Sequence, residues 1–191
     1  MLEAIDIMHK MWKGEPFHFE GKFWEAGMPE AEHGHPFRDM KPWGGDIHMA
    51  MTGLSSPSSS IGFAGRNGFL PASVYAGNAF LRSHFDTYAE EMAKAGRKAE
   101  RSAHRVVRDV IVADTDAEAR KLAIDGGIAY AWQQYIKPTY QRFGVLKGLL
   151  HDPDFDQDKV DGEYLAEHVW IVGSPETVRQ KIEAWCGDLG G

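Results

Sequence analysis

The chain has 191 residues, 43% hydrophobic and 12% aromatic, with a net charge of −7. Length and composition together give one domain, or part of a larger one, with enough apolar residues for a real core. A net acidic balance without a long basic cluster excludes nucleic acid as an expected partner, and no apolar run nears the ~20 residues of a bilayer span, so no membrane partner is expected either.

Residues 2–13 place Leu2, Ile5, Met8 and Trp12 on one helical face, and Gly14 ends the pattern. The first residues lack the basic start and apolar segment of a signal peptide. Pro16–Trp24 alternates apolar and polar residues around Glu20-Gly21, which predicts a hairpin. Residues 25–45 read as a long loop, so 14–45 form a hairpin-and-loop excursion. His33 and His35 with Glu30 and Glu32 have the look of metal ligands, but a flexible stretch does not hold a zinc geometry, and no metal is expected.

The chain is organised around Met49–Gly68, MAMTGLSSPSSSIGFAGRNG. An apolar run, Ile47–Met51, stops at Thr52-Gly53. Ser55, Ser56, Pro57, Ser58, Ser59 and Ser60 follow, and then a helical pattern. Ser56 is expected to cap the helix, with Pro57 at its first position. Strand, hydroxyl-rich turn and helix N-terminus together suit an anion, because free N–H groups and a positive dipole end converge there. The same pattern also fits an ordinary βα connection whose serines cap the helix and face water.

Phe69–Ser73 predicts another strand. Asn78–Ala95 predicts a helix burying Leu81, Phe85, Tyr88 and Met92, with Gly96 as its stop. Arg105–Ala113 is nearly all β-branched, the pattern of a strand covered on both faces. Arg108 and Asp109 interrupt it on opposite faces, so one points inward unless the strand is bulged. Thr115–Glu118 is a capping box, and Gly126-Gly127 breaks the helix it opens. The aromatics Tyr130, Trp132, Tyr135, Tyr140 and Phe143 read as core, and the segment from Tyr130 to Phe143 is expected to help wall an apolar pocket, an expectation that fails if Trp132 and Tyr135 face solvent. Asp152, Asp154, Asp156 and Glu163 match calcium-loop positions, yet Gln157 stands where the turn glycine is required, so a solvated acidic loop is expected. Val169–Val172 predicts a strand, and Ser174-Pro175-Glu176 opens a helix with Val178, Ile182 and Trp185 on one face. The single cysteine, Cys186, is expected to be a buried structural thiol in a reducing, cytoplasmic compartment.

Strands alternating with helices imply parallel βα units. A (β/α)8 barrel uses ~250 residues. The chain enters inside a helix and stops where a strand would begin, so 1–191 is read as one partial domain cut at both ends.

Four stretches in order resemble the bacterial-luciferase-like flavin-dependent monooxygenases, and among them the limonene-monooxygenase-like group: EAIDIMHKMWKGEPFHFEGKFW; MAMTGLSSPSSSIGFAGRNGFLP; YAEEMAKAGRKAERSAHRVVRDVIVADTDAEAR; and VWIVGSPETVRQKIEAWCGDLGG. The resemblance implies an α/β fold, part of a (β/α)8 TIM barrel, with about strands five to seven and their helices. It implies a flavin phosphate on Ser55, Ser56, Ser58, Ser59 and Ser60, with Thr52 and Gly53 beside the flavin. It further implies reduced FMN delivered by a flavin reductase, insertion of one oxygen atom from O2 into a small organic substrate, and a homodimer at full length. The catalytic residues are expected in the family's early strands, upstream of Met1. A hydride-transferring F420 enzyme of the same fold, or a non-catalytic fragment, is the alternative reading.

Overall fold

The structure, a computed structural model, describes residues 1–30, 41–45 and 47–188. Two compact units divide at residues 48 and 49. His33, His35 and Glu32 lie outside the described residues.

In the first unit, α1 (Leu2–Lys13) ends at Gly14, whose φ of 69° is left-handed and favours glycine. The hairpin forms, but displaced along the chain: β1 (Phe17–Glu20) pairs antiparallel with β2 (Glu25–Met28), so the second strand begins after Trp24. The reason is Glu3, whose carboxylate accepts the amides of Lys22, Phe23 and Trp24 and holds those residues as the turn. These three bonds lower the Glu3 pKa, Phe23's contributing most.

The second unit begins with β3 (Ala50–Gly53), α2 (Ser59–Asn67), β4 (Leu70–Val74), α3 (Asn78–Lys94) and β5 (Arg105–Val107). The three strands form one parallel sheet in the order β3-β4-β5, with Gly53 opposite Ser73 and Ser73 opposite Val106. Close packing of α2 on α3 depends on Gly65, because a Cβ there would lie 2.8 Å from the Tyr88 carbonyl oxygen. Along α3 the buried residues are Leu81, His84, Tyr88 and Met92. Phe85 is only half-buried, and a histidine takes the place expected for it.

Residues 105–113 do not make one covered strand. They divide at Arg108-Asp109 into β5 and β6 (Val110–Val112), and β6 pairs parallel with β7 (Ile171–Gly173) in a separate sheet. Val107, Val110 and Val112 remain 44 to 49% exposed, so the strand is covered on one face only within this chain. The division has a local cause. Arg108 turns its guanidinium back onto the carbonyls of Ala76 and Val107, while the Asp109 carbonyl already accepts from Ile171.

Beneath β6 and β7 lies the larger core, built from α4 (Asp116–Asp125), α5 (Gly127–Ala131), α6 (Lys137–Phe143) and α7 (Gly162–His168). A π turn at Trp132–Ile136 joins α5 to α6. Trp132 and Tyr140 enter this core; Tyr130, Tyr135 and Phe143 are exposed. The acidic loop uses its carboxylates on its own backbone, Asp152 for the amide of Asp154, Asp156 for Asp158 and Asp161 for Tyr164. Thr115 caps α4 through the amide of Glu118 at 3.2 Å. We expect Thr115→Ala to cost about 1 kcal/mol, read as a lower urea midpoint at unchanged slope.

The chain closes with α8 (Pro175–Asp188), where Pro175 takes the first position and Ser174 Oγ accepts the amide of Thr177. Cys186 is exposed, against expectation. Its neighbour Trp185 turns inward to donate to Asn78 Oδ1 at 2.8 Å, and one residue further is ~100° round the helix. Among the described residues no helix is long and apolar enough to cross a membrane.

Candidate functional site: a serine turn at the end of β3

In parallel βα barrels the chemistry gathers at the C-terminal ends of the strands. Here those ends carry the serine turn after β3, Tyr75 and Ala76 after β4, and Arg108 and Asp109 after β5.

The turn is built from hydroxyls with unequal roles. Ser58, not Ser56, caps α2: its backbone is extended and its Oγ accepts the amide of Ile61 at 3.3 Å. Pro57 therefore precedes the cap instead of opening the helix. Packing decides among the five serines, because Ser58 is buried against Gly53. A Cβ on Gly53 would lie 2.8 Å from Ser58 Oγ and 2.5 Å from Ile61 Cγ1, so glycine lets the turn fold back over the strand end. Ser60 Oγ donates to the Thr52 carbonyl at 2.5 Å and lies 3.1 Å from Ser58 Oγ. Ser56 Oγ donates to Ser83 Oγ on α3 at 2.7 Å, and Ser55 Oγ to the Pro57 carbonyl at 3.2 Å. Ser59 is exposed, as are Ser55 and Thr52. The amides of Ser59 and Ser60, first in the helix, have no acceptor within it.

So the predicted residues do come together, but as two sets. Ser56, Ser58 and Ser60 hold the turn's shape. Ser55 and Ser59 are exposed, beside the first helical amides that have no acceptor within the helix.

Behind the turn stands a buried polar group that sequence reasoning missed. Ser73 Oγ lies 2.7 Å from His84 Nδ1 and 2.7 Å from His104 Nε2, and His84 Nε2 lies 2.7 Å from the Ser55 carbonyl oxygen. Burial pulls the His84 pKa down, and it pulls His104 down to about 4 with help from the neighbouring His84 and Arg101. Burial thus favours the neutral form of both rings.

Tyr75 was missed as well. Its φ of 46° is left-handed, which is strained for a tyrosine and often accompanies function. Its hydroxyl donates to Asp109 Oδ1 at 3.1 Å, and burial, aided by that carboxylate, pushes its pKa up to about 12. Burial also raises Asp109, against the pull of Tyr75, Arg108 and the Trp170 indole. Asp109 Oδ2 is buried with no partner in hydrogen-bonding geometry among the described residues. Arg108, lowered to about 10 by burial, stacks 5.0 Å from the Trp185 ring. Beside it opens a cleft of about 450 Å³ lined by Asn78, Arg82, Arg108, His151, His168 and Lys181, among others. Trp132 and Tyr135 do not line it: one is core and the other exposed.

The sequence model of the luciferase-like monooxygenases matches residues 1–190. The chain belongs to that family. It is 43% identical to 2,5-diketocamphane 1,2-monooxygenase 1 of Pseudomonas putida, over all of this chain and 55% of that one. It is 41% identical to 3,6-diketocamphane 1,6-monooxygenase of the same organism, over 99% and 52%. A solved type II Baeyer-Villiger monooxygenase, the oxygenating constituent of 3,6-diketocamphane monooxygenase from Pseudomonas putida in complex with FMN, superposes with a TM-score of 0.88 at 40% identity, covering 100% of this chain and 53% of that one. The chain thus spans about half the length of these relatives. An F420-dependent tetrahydromethanopterin reductase from Methanopyrus kandleri superposes at 0.63 with 18% identity, over 98% of this chain and 54% of that one, and shares the fold alone. The fold is α/β with parallel strands, of the luciferase-like barrel type.

Proposed function

We propose that this chain carries the flavin-phosphate turn of an FMN-dependent monooxygenase. The observation that carries the reading is the outer half of the serine turn: the exposed residues Ser55 and Ser59 beside the first two helical amides, which have no acceptor within the helix, at the C-terminal end of a parallel strand. Such a set fits a phosphate monoester, since the Ser59 hydroxyl and the two amides are neutral donors, the Ser55 hydroxyl joins them by turning from the Pro57 carbonyl, and the α2 dipole adds positive potential. Likeness to an FMN-bound relative at 40% identity favours FMN over F420, whose users share only the fold.

Ser59 and the amides of Ser59 and Ser60 bind the phosphate, Ser55 adds a second hydroxyl, and Thr52 and Gly53 border the flavin. When bound and reduced, FMN supplies two electrons to O2, so that one oxygen atom enters the substrate and the other leaves as water. By likeness to the diketocamphane enzymes, the substrate is a small cyclic ketone and the insertion is of the Baeyer-Villiger type. A separate flavin reductase supplies the reduced flavin, and the full-length protein works as a cytoplasmic homodimer.

The test is titration of the chain with FMN and with riboflavin, which lacks the phosphate. We expect FMN to bind more tightly, and Ser59→Ala to weaken FMN about tenfold to a hundredfold, the worth of one hydrogen bond to a charged group, without moving riboflavin. Equal binding of the two flavins would refute the phosphate site.

A further inference from the structure

We propose that a hydrogen-bonded relay, His104 to Ser73 to His84, fixes the serine turn through the Ser55 carbonyl and thereby sets how strongly the turn prefers a phosphorylated flavin. The proposal rests on the phosphate reading above and names positioning residues, since none of the three touches the anion.

Donor logic fixes the direction of the relay. A carbonyl oxygen only accepts, so His84 Nε2 must carry the proton it gives to Ser55 at 2.7 Å. In a neutral ring that leaves Nδ1 as an acceptor, and the group facing it at 2.7 Å is the Ser73 hydroxyl, which must donate. Having donated there, Ser73 Oγ can only accept from His104 Nε2, also at 2.7 Å, so that nitrogen is protonated too. The opposite tautomer of His84 would set a lone pair against the Ser55 carbonyl oxygen. One arrangement satisfies all three contacts.

Burial makes that arrangement costly to break. Ser73 and His84 are fully buried, where an unpaired polar group costs far more than at the surface. Around His84 stand Ser73, the Ser55 carbonyl, the Phe80 ring at 6.4 Å and His104. Around His104 stand Ser73, the stacked Phe85 ring and, 4.2 Å from that ring, the Arg101 guanidinium. With Arg101 and burial both opposing charge there, the neutral state is favoured.

The relay also lands where it can matter. His84 grips Ser55, and the adjacent Ser83 accepts from Ser56, so two neighbouring residues of α3 hold two neighbouring residues of the turn. On the other side Ser58 and Ser60 pin the turn to Thr52 and Ile61. What remains unclamped is the solvent-facing edge at Ser59. Register explains why three separate elements meet here: Ser73 pairs with Val106, which brings His104 alongside from two residues earlier.

Two measurements test this on the chain itself. Nitrogen-15 NMR at pH 7 should show His84 and His104 neutral and protonated at Nε2. Flavin titrations should show His84→Leu losing about tenfold in FMN affinity with riboflavin affinity unchanged within twofold, whereas His84→Gln, which can still donate to the Ser55 carbonyl, stays within about threefold of the parent. A charged His84, or one protonated at Nδ1, overturns the relay without touching the phosphate reading. So does an equal loss for both flavins in His84→Leu, or no loss for either. If the parent chain itself fails to prefer FMN, the phosphate reading falls and this proposal with it. Should His84→Leu not fold, the NMR result and His84→Gln still decide.

Discussion

Trp132→Ala should remove most of the stability of the second unit. Trp132 is 1% exposed, donates its indole N–H to the Val160 carbonyl at 3.1 Å and meets Tyr140 edge-on at 6.1 Å. Truncating a buried tryptophan costs about 3–5 kcal/mol through lost transfer energy and the cavity left behind. Val160 is itself fully buried, so its carbonyl would lose its donor in a dry place, at about 1–3 kcal/mol more. Domains have only about 5–15 kcal/mol in total, so the variant should unfold at a far lower urea concentration or lack a cooperative transition. Trp132→Phe keeps most of the ring and loses the N–H, and should fall between the two. A midpoint for Trp132→Ala close to that of the parent would mean that the cluster under β6 and β7 does not hold the unit together.

The same residue shows what the sequence made legible. A stripe of aromatics with Trp132 and Tyr140 in it announced a core, and the helix periods around it gave the elements. What periodicity could not say is which aromatics point inward: a π turn at Trp132–Ile136 interrupts the helical period, with Trp132 and Tyr140 buried and Tyr130, Tyr135 and Phe143 exposed. The division of residues 105–113 was hidden for a related reason. Its signal, Arg108-Asp109, was visible as an interruption. Its meaning lies in a change of partner from β4 to β7, and β7 is some sixty residues away in sequence.

For the candidate site the boundary is equally physical. Hydroxyl, proline and helix signals are local chemistry, so the turn from Ser55 to Ser60 could be singled out. The choice of Ser58 as cap is tertiary, made by contact with Gly53 and Ile61. His84 was hidden by its neighbour: the apolar period pointed to Phe85, while burial chose the histidine whose partner Ser73 sits on another element. Tyr75 gave no composition signal at all, since a left-handed φ on a tyrosine is a property of the folded chain.

Acidification should destabilise the chain through His104, with a sign that follows from its burial. In the folded state its pKa is about 4, and in the unfolded chain it returns to about 6.5. Between those values the unfolded chain holds a proton that the folded chain refuses, so stability falls as pH drops from about 6.5 toward 4 and is fully present above 6.5. Each pH unit inside that window removes up to about 1.4 kcal/mol per such group, and solvent screening of the part-buried His104 ring keeps its total below roughly 3 kcal/mol. His84, also lowered by burial, acts with the same sign. Asp109, raised by burial, acts with the opposite sign and gains stability on acidification. The comparison that isolates His104 is His104→Gln, whose amide can still donate to Ser73 while carrying no titratable ring. Urea midpoints at pH 7, 6 and 5 should show the parent losing stability more steeply than this variant, by up to about 2 kcal/mol between pH 7 and pH 5, with Asp109 and His84 common to both. Parallel slopes in the two proteins would mean that His104 accepts its proton as readily when folded as when unfolded, and that the Ser73 relay gives no resistance to charge.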